Sequence, residues 1–525
     1  MWQSVLETIA KINSVINGVV WGLPMIVLIL GTGILFSVRT KWLQVRKFRD
    51  VWGETIISTV KGMGKKKKDL LPEKNAISPF EAFATAISGT VGTGNIVGVT
   101  SAIMTGGPGA VFWMWVSAFF GMLTNFAESV LGMYFRKRED NGEFSGGPAY
   151  YLSEGLGREQ KGKLGSFLKT LGKVLAVAAA VFCTFAAIGM SGVQTNKISA
   201  TLQEVIHGNG NTVALVSGIC IAVVLACIIL GGIKSIGKVA SILVPFMSVL
   251  FVGMAISVIF VNVNMLGNAF GLIFKNIFSF QSAVAGAGGY AFSVVIQKGL
   301  ARGVFSNEAG LGSSVIAQSA SEEKEPVKQG LWGIFGVFFD TFIICTLTAL
   351  MVLVSFGDEK GMAEVLYAPS SVDTIVSMMA ISSVFGLFGE IMYSIILPLF
   401  AFTTILAWAY YGEKSVDYLF RKTGAKGRKI ATVAFKIVYV LLVVASSVID
   451  GELAWAISDT FNGLMALPNL IGLILMSGLL VKITKNYYDR KKGLDVKPLL
   501  SAYEDLNGEF IEELAKEEAK ENVKE

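Results

Sequence analysis

The chain has 525 residues, 53% of them apolar and 16% charged, with a mean hydropathy of +0.60 and a formal net charge of +6. Soluble domains carry roughly 25% charged residues, and here the missing charge is missing in blocks: residues 12–38, 82–127, 174–196, 205–233, 239–274 and 276–297 contain no Asp, Glu, Lys or Arg. Each block can cross a hydrocarbon layer ~30 Å thick as a helix, which places the chain in a lipid bilayer and excludes a secreted enzyme, a soluble nucleotide-binding protein and a nucleic-acid binder.

Read against Gly, Pro and charge breaks, the apolar runs predict eleven helices near 17–38, 77–105, 109–135, 172–203, 212–231, 236–262, 285–317, 327–356, 378–412, 430–449 and 453–482. Helices are favoured over strands because an open strand edge would leave polar backbone unsatisfied in lipid. The first run is too long for a signal-peptide core and lacks a basic flank before it, so it reads as a retained span. Between spans one and two, residues 39–76 mix Trp42, Phe48, Val51 and Trp52 with basic residues and end on Lys65–Lys68. That pattern reads as an interfacial helix on an anionic leaflet.

Charge placement sets the orientation. With the N-terminus outside, the inside segments 39–76, 136–173, 231–239, 302–328, 411–429 and the tail from 482 hold 39 Lys and Arg, against 3 outside (Lys11, Lys275, Lys360). The positive-inside rule requires such a bias, so the expected topology is N-out, C-in. The acidic tail from Ser501 reads as a surface helix or as disorder, without chemistry. Cys183, Cys220, Cys227 and Cys345 all lie in apolar runs, and His207 is the only histidine; neither a disulfide framework nor a histidine metal site is expected.

The second and seventh spans carry interruptions. Ser88-Gly-Thr-Val-Gly-Thr-Gly-Asn95 sits inside an uncharged stretch of 46 residues, and Gly299–Gly312 breaks the seventh span. A straight helix gains nothing from such glycines, whereas a break does, since Thr, Ser and Asn re-satisfy the freed backbone. Setting the first helix aside, ten helices divide into spans 2–6 and 7–11, with each interruption in the first helix of its half. Five helices per half imply opposite insertion, and paired broken helices in inverted repeats point to a transporter's midplane site. The domain reading is therefore 1–76 (first helix and basic segment), 77–262 (repeat one), 285–482 (repeat two) and 483–525 (charged tail). At the first break, backbone N–H groups at Thr93 and Gly94 suit an anionic substrate group. Carbonyls of Ser88 and Val91 suit a small hard cation such as Na⁺.

The run Gly106-Gly-Pro-Gly-Ala-Val-Phe-Trp-Met-Trp-Val-Ser-Ala-Phe-Phe-Gly121 resembles the signature of the alanine-or-glycine:cation symporters, the sodium:alanine symporter family. Supporting motifs are Thr90–Asn95, Gly146-Gly-Pro-Ala-Tyr-Tyr151, Arg302–Gly312 and Ala407–Ser415. The resemblance implies an all-α, LeuT-like five-plus-five inverted repeat preceded by one extra helix, Na⁺-driven uptake of alanine or glycine, and no enzymatic activity. It also implies that Thr93 and Gly94 hold the substrate carboxylate, that Gln194 contacts the same amino acid, and that Trp408 walls the pocket against larger side chains. Thr403 and Thr404 would complete a Na⁺ site with Ser88 and Val91, and Asn307 is a further candidate substrate ligand.

Ionisable residues inside spans would mark proton coupling instead. Glu128 is expected to pair near the basic end of its helix at Arg136. Asp340, Glu390 and Asp459 lie deeper, with Lys298, Arg302 and Lys436 as partners, and Asp340 is the candidate for an ion role. The alternatives are a LeuT-like symporter of another small amino acid or one coupled to H⁺. A channel would need a continuous polar pore face, and a membrane enzyme a nucleophile–base constellation; the sequence offers neither.

Overall fold

The computed structural model describes residues 2–63, 76–139, 141–206, 209–278, 288–356, 365, 372–449 and 451–522. Lys65–Lys68, His207 and Lys360 lie outside the described residues. Helices dominate. α1 (Trp2–Val20) and α2 (Leu23–Arg39) meet at a 41° bend, so the expected first span straddles two helices. Short helical turns then run from Leu43 to Met63, where Trp52 packs edge-on against Phe335 at 5.3 Å between ring centres.

α3 (Pro79–Thr90) starts at a reciprocal cap: the Ser78 hydroxyl accepts from the Glu81 N–H, and the Glu81 carboxylate accepts from the Ser78 N–H. Pro79 stands at the first helical position, where its missing N–H costs nothing. After a break and a wide helical turn (Gly94–Gly98), α4 (Val99–Gly106) leaves at 48° to α3. α5 (Ala110–Tyr134) follows, then a two-stranded hairpin, β1 (Lys137–Arg138) with β2 (Phe144–Ser145), and α6 (Pro148–Gly155). α7 (Gly162–Val205) has 44 residues. At 1.5 Å per residue it is about 66 Å long, so its lysine-bearing start extends beyond the bilayer. α8 (Gly210–Ile229) and α9 (Gly232–Val261) close the first half.

The second half opens with α10 (Gly288–Asn307), an irregular stretch and α11 (Ser314–Gln318). α12 (Pro326–Val337) continues through a wide turn (Phe338–Cys345) into α13 (Thr346–Ser355) as one span. The span expected at 378–412 is displaced. α14 (Asp373–Phe385) is a separate short helix, Gly386 turns the chain at φ +55°, and α15 (Leu387–Leu419) is the span itself. α16 (Gly424–Ser446), α17 (Gly451–Leu475) and α18 (Ser477–Lys491) follow, with a 63° bend between the last two. α19 (Glu504–Asn522) ends the described chain.

By length and composition the described residues hold seven unbroken candidate spans, or ten when each bent pair counts as one. The expected seventh span, where α10 and α11 lie, is not among these candidates. Five basic segments meet on one face, hereafter the basic face. Lys491 pairs with Glu54 (2.8 Å), Arg428 with Glu139 (2.8 Å), Lys414 with Glu143 (2.9 Å), Lys324 with Glu513 (3.1 Å), and Arg490 with Glu325. One residue counted with that face belongs elsewhere. Arg302 lies over the Trp455 ring, 4.8 Å from its centre, at the start of α17, nearer the opposite face. The tail expected as a surface helix or as disorder is ordered as α19 and packed against the β hairpin through Phe510 and Phe144.

Candidate functional site

The first break is built from its own side chains. Val91 leaves the helix (φ −80°, ψ 88°), and its N–H still donates to Ile87 O (2.7 Å). The next N–H, of Gly92, donates to Asn95 Oδ1 (2.9 Å), so Asn95, in the first turn of the half-helix that follows, holds a freed N–H of the break. Asn95 Nδ2 in turn donates to Asp340 Oδ1 (2.6 Å). Asp340 Oδ2 also accepts from Ser306 Oγ (2.8 Å) and Thr341 Oγ1 (3.0 Å). Asp340, fully buried, thereby ties the first broken helix to the second.

Gln194 of α7 reaches the break directly: its Oε1 accepts from Thr93 Oγ1 (2.9 Å) and Thr93 N (3.4 Å). Across the break from Gln194, Thr404 Oγ1 donates to Ser88 O (2.9 Å) and to Phe400 O of its own helix (3.0 Å). Gly92 separates the two groups. A Cβ there would collide with Thr404 Oγ1 and lie 3.5 Å from Gln194 Nε2. Thr403 is turned differently, its hydroxyl donating to Phe400 O (3.0 Å) and facing Met247 Sδ of α9 (3.7 Å). Val91 is fully buried beside Ser88 in the same break.

Trp408 is fully buried one turn beyond Thr404 and meets Tyr411 edge-on at 5.5 Å. Tyr411 OH donates to Ala86 O (3.3 Å) and would lie 2.7 Å from a Cβ at Gly89, so α15 packs directly on the backbone of α3. Asn307 is placed in a neighbouring small cavity with Thr90, Asn125 and Ser314. Its Oδ1 accepts from Ala309 N (3.0 Å) and its Nδ2 donates to Thr341 Oγ1 (3.1 Å). One end of that amide holds the second break, and the other ties it to the next span.

Three neighbours escaped the sequence reading. Phe305 lies over Gly94, 3.4 Å from where a Cβ would be, and stacks on Trp455 at 5.2 Å. Its position inside Arg302–Gly312 was the available signal. Glu308 adopts φ +54°, accepts a bond from Ser313 Oγ and lies beside the Trp408 indole N–H. Asn469 is the third, as a partner of Glu128. Glu128 does not pair near Arg136: its Oε1 accepts from Gly310 N (3.0 Å) and Asn469 Nδ2 (2.5 Å). Arg136 instead donates to the carbonyls of Ser321 (2.5 Å) and Glu323 (2.6 Å). Of the other expected ionisable partners, Asp459 accepts from Asn17 Nδ2 (3.1 Å) and lies within electrostatic reach of Lys298, while Lys436 pairs with Glu413 (2.9 Å).

The family model described as the sodium:alanine symporter family matches residues 6–499. The chain belongs to the sodium:alanine symporter family. Among relatives of this symporter, "Sodium/alanine symporter AgcS" of Methanococcus maripaludis is 39% identical over 492 residues, covering 93% of this chain and 99% of that protein. "Probable sodium/glutamine symporter GlnT" of Bacillus subtilis is 35% identical, covering 93% and 92%. Among solved structures, MhsT in complex with L-phenylalanine superposes with a TM-score of 0.51 at 17% identity, covering 78% of this symporter and 99% of MhsT. The fold is thus LeuT-like, and the protein is a multi-pass membrane transporter that couples amino-acid movement to Na⁺; it is not an enzyme.

Proposed function

We propose that this symporter imports alanine or glycine with Na⁺ by alternating access, with its basic face in the cytoplasm and its N-terminus outside. The observation that carries the reading is the placement of Gly92. On one side of it stand Ser88 O and Thr404 Oγ1, oxygen ligands of the kind Na⁺ takes. On the other stand Gln194 and the Thr93–Gly94 backbone at the head of a half-helix, where partial positive charge favours a carboxylate. Ion and amino acid would occupy adjacent seats on one strand of backbone, so filling one organises the other. Val91 O and Thr403 would complete the ion's shell, and Asn307 would act from the second break.

The small-substrate preference follows from bulk. Trp408, Tyr411 and Phe305 crowd the break, and methyl-sized side chains fit such a space with least displacement. The two halves 77–262 and 285–482 would act as the inverted repeats that rock about this site.

Reconstitution tests the reading. Purified protein in liposomes should accumulate labelled alanine under an inward Na⁺ gradient, and unlabelled glycine should compete. Competition by glutamine stronger than by glycine would move the substrate class toward that named for GlnT. Accumulation driven equally well by a pH gradient without Na⁺ would refute the threonine ion site and transfer coupling to Asp340. Q194A should raise the half-saturating alanine concentration roughly 10-fold or more, as loss of a hydrogen bond to a charged ligand does.

A further inference from the structure

The family match ends at residue 499, yet α19 lies beyond it and is docked on the transport machinery. Phe510 and Leu500 form a small apolar cluster with Phe144 of the β hairpin. Glu509 takes a two-pronged bond from Arg138 Nη1 (2.9 Å to each oxygen), and Glu513 pairs with Lys324 (3.1 Å). These contacts converge on the cytoplasmic end of the second broken span. Lys324 follows α11 by six residues. Arg136, stacked between Phe144 (4.0 Å) and Phe510 (5.3 Å), holds the carbonyls of Ser321 and Glu323.

The same segment is tied to the first broken span. Ile77 N donates to Ala320 O (3.3 Å) and Glu322 N to Ile77 O (2.7 Å), one residue before the cap of α3. Beneath it, α11 is covered by the Gly146-Gly147-Pro148 turn. Gly147 needs φ +106° and would place a Cβ 2.8 Å from Ile316, so no other residue fits there. The small cavity left between α11 and this turn is lined by Cys183, Gly312 and Ile316, among others.

We propose that α19 is a releasable strap that holds the basic-face ends of both broken helices shut and so controls how often the site opens on that face. It is built to release. Its ion pairs are partly exposed, Arg138 and Glu509 by 32% and 42%, and exposed pairs are individually weak and salt-screened. Its apolar contact is a cluster separate from the main core, Phe144, Leu500 and Phe510 with Ala76, Leu506, Ile511 and Leu514 packed around them. The acidic helix occupies a basic surface of Arg136, Arg138 and Lys324, which anionic headgroups of the inner leaflet would compete for.

The proposal rests on the transporter opening toward the basic face but not on alanine being the substrate. The native Cys183 thiol, 3% exposed beside the cavity, supplies a readout that needs no transport. In inverted vesicles, N-ethylmaleimide modification of Cys183 is followed by mass spectrometry of its peptide. E509K/E513K should raise the modification rate roughly threefold or more, the scale on which two surface pairs made repulsive act. Adding R138E/K324E should restore the original rate, and raised salt should mimic the charge reversal. A rate unchanged by E509K/E513K, or a rise that the compensating reversal leaves in place, overturns the strap. Failure of alanine uptake in the wild type, with the labelling pattern intact, would overturn the substrate assignment alone.

Discussion

Thr403 and Thr404 are adjacent and chemically identical, yet their surroundings differ. Thr404 Oγ1 bridges Phe400 O of its own helix and Ser88 O across the break, whereas Thr403 Oγ1 is spent on Phe400 O and faces Met247. T404V should therefore raise the half-saturating Na⁺ concentration roughly 10- to 100-fold, the cost of losing a hydrogen bond to a charge. T403V should raise it less, and Na⁺ titration of uptake at fixed alanine compares the two directly. Equal effects would mean that Thr403 rotates into the site when the ion binds. Gly92 makes a sharper case. Its neighbours leave no room for a methyl group, and overpacking a tight site costs about 1–3 kcal/mol. G92A should weaken Na⁺ and alanine together, because the methyl would push on Thr404 and Gln194 at once. A G92A variant that loses only one of the two would separate the seats.

Whole elements are broken here by design, and each break is held by a carboxylate on another helix. Asp340 collects Asn95 and Ser306; Glu128 collects Gly310 N and Asn469. Tyr151 OH donates onward to Asn469 Oδ1, linking α6 to the same cluster. E128A would remove the acceptor of Gly310 N and leave Asn469 Nδ2 only its bond to Gly310 O; an unpaired buried donor costs about 1–3 kcal/mol, so the melting temperature in detergent should fall by several degrees. E128Q keeps an acceptor at the same place and should fall much less. Equal losses would show that the negative charge, not the acceptor, holds the second break. The breaks themselves were legible in the sequence, because Gly, Thr, Ser and Asn crowded into an apolar span have no other use. Their braces were not. Glu128 reaches a backbone amide 182 positions away, and no side-chain pattern announces such a partner. Hydropathy likewise could not divide α14 from α15, since both are apolar and the turn between them depends on one glycine at φ +55°. The tail forms the surface helix that was one of its two expected states, but its docking was not legible. Its composition is that of a solvated helix, and only Phe510 and the basic surface waiting for Glu509 and Glu513 make it dock.

At the scale of the molecule, the basic face is sewn together by ion pairs between segments far apart in the chain, and one pair makes stability depend on pH. Glu325 stands at the residue before α12, just outside the span and 3% exposed, and Arg490 of α18 reaches it. Burial pushes its carboxyl from 4.5 up to about 7, with Arg490 pulling the other way and Glu323 adding to the rise. The folded protein therefore holds this proton more tightly than the unfolded chain does. The stabilisation is complete below about pH 4.5 and is lost as pH rises through about 7, a change on the order of 3 kcal/mol. E325Q cannot titrate and should lack that component. Melting wild type and E325Q side by side from pH 5 to pH 8 cancels the titrations they share. The wild type should lose stability relative to E325Q across this interval, mostly between pH 5 and 7, and level off above it. Parallel curves would mean that Arg490 holds the carboxylate ionised throughout, with the clasp between α12 and α18 closed at every pH tested.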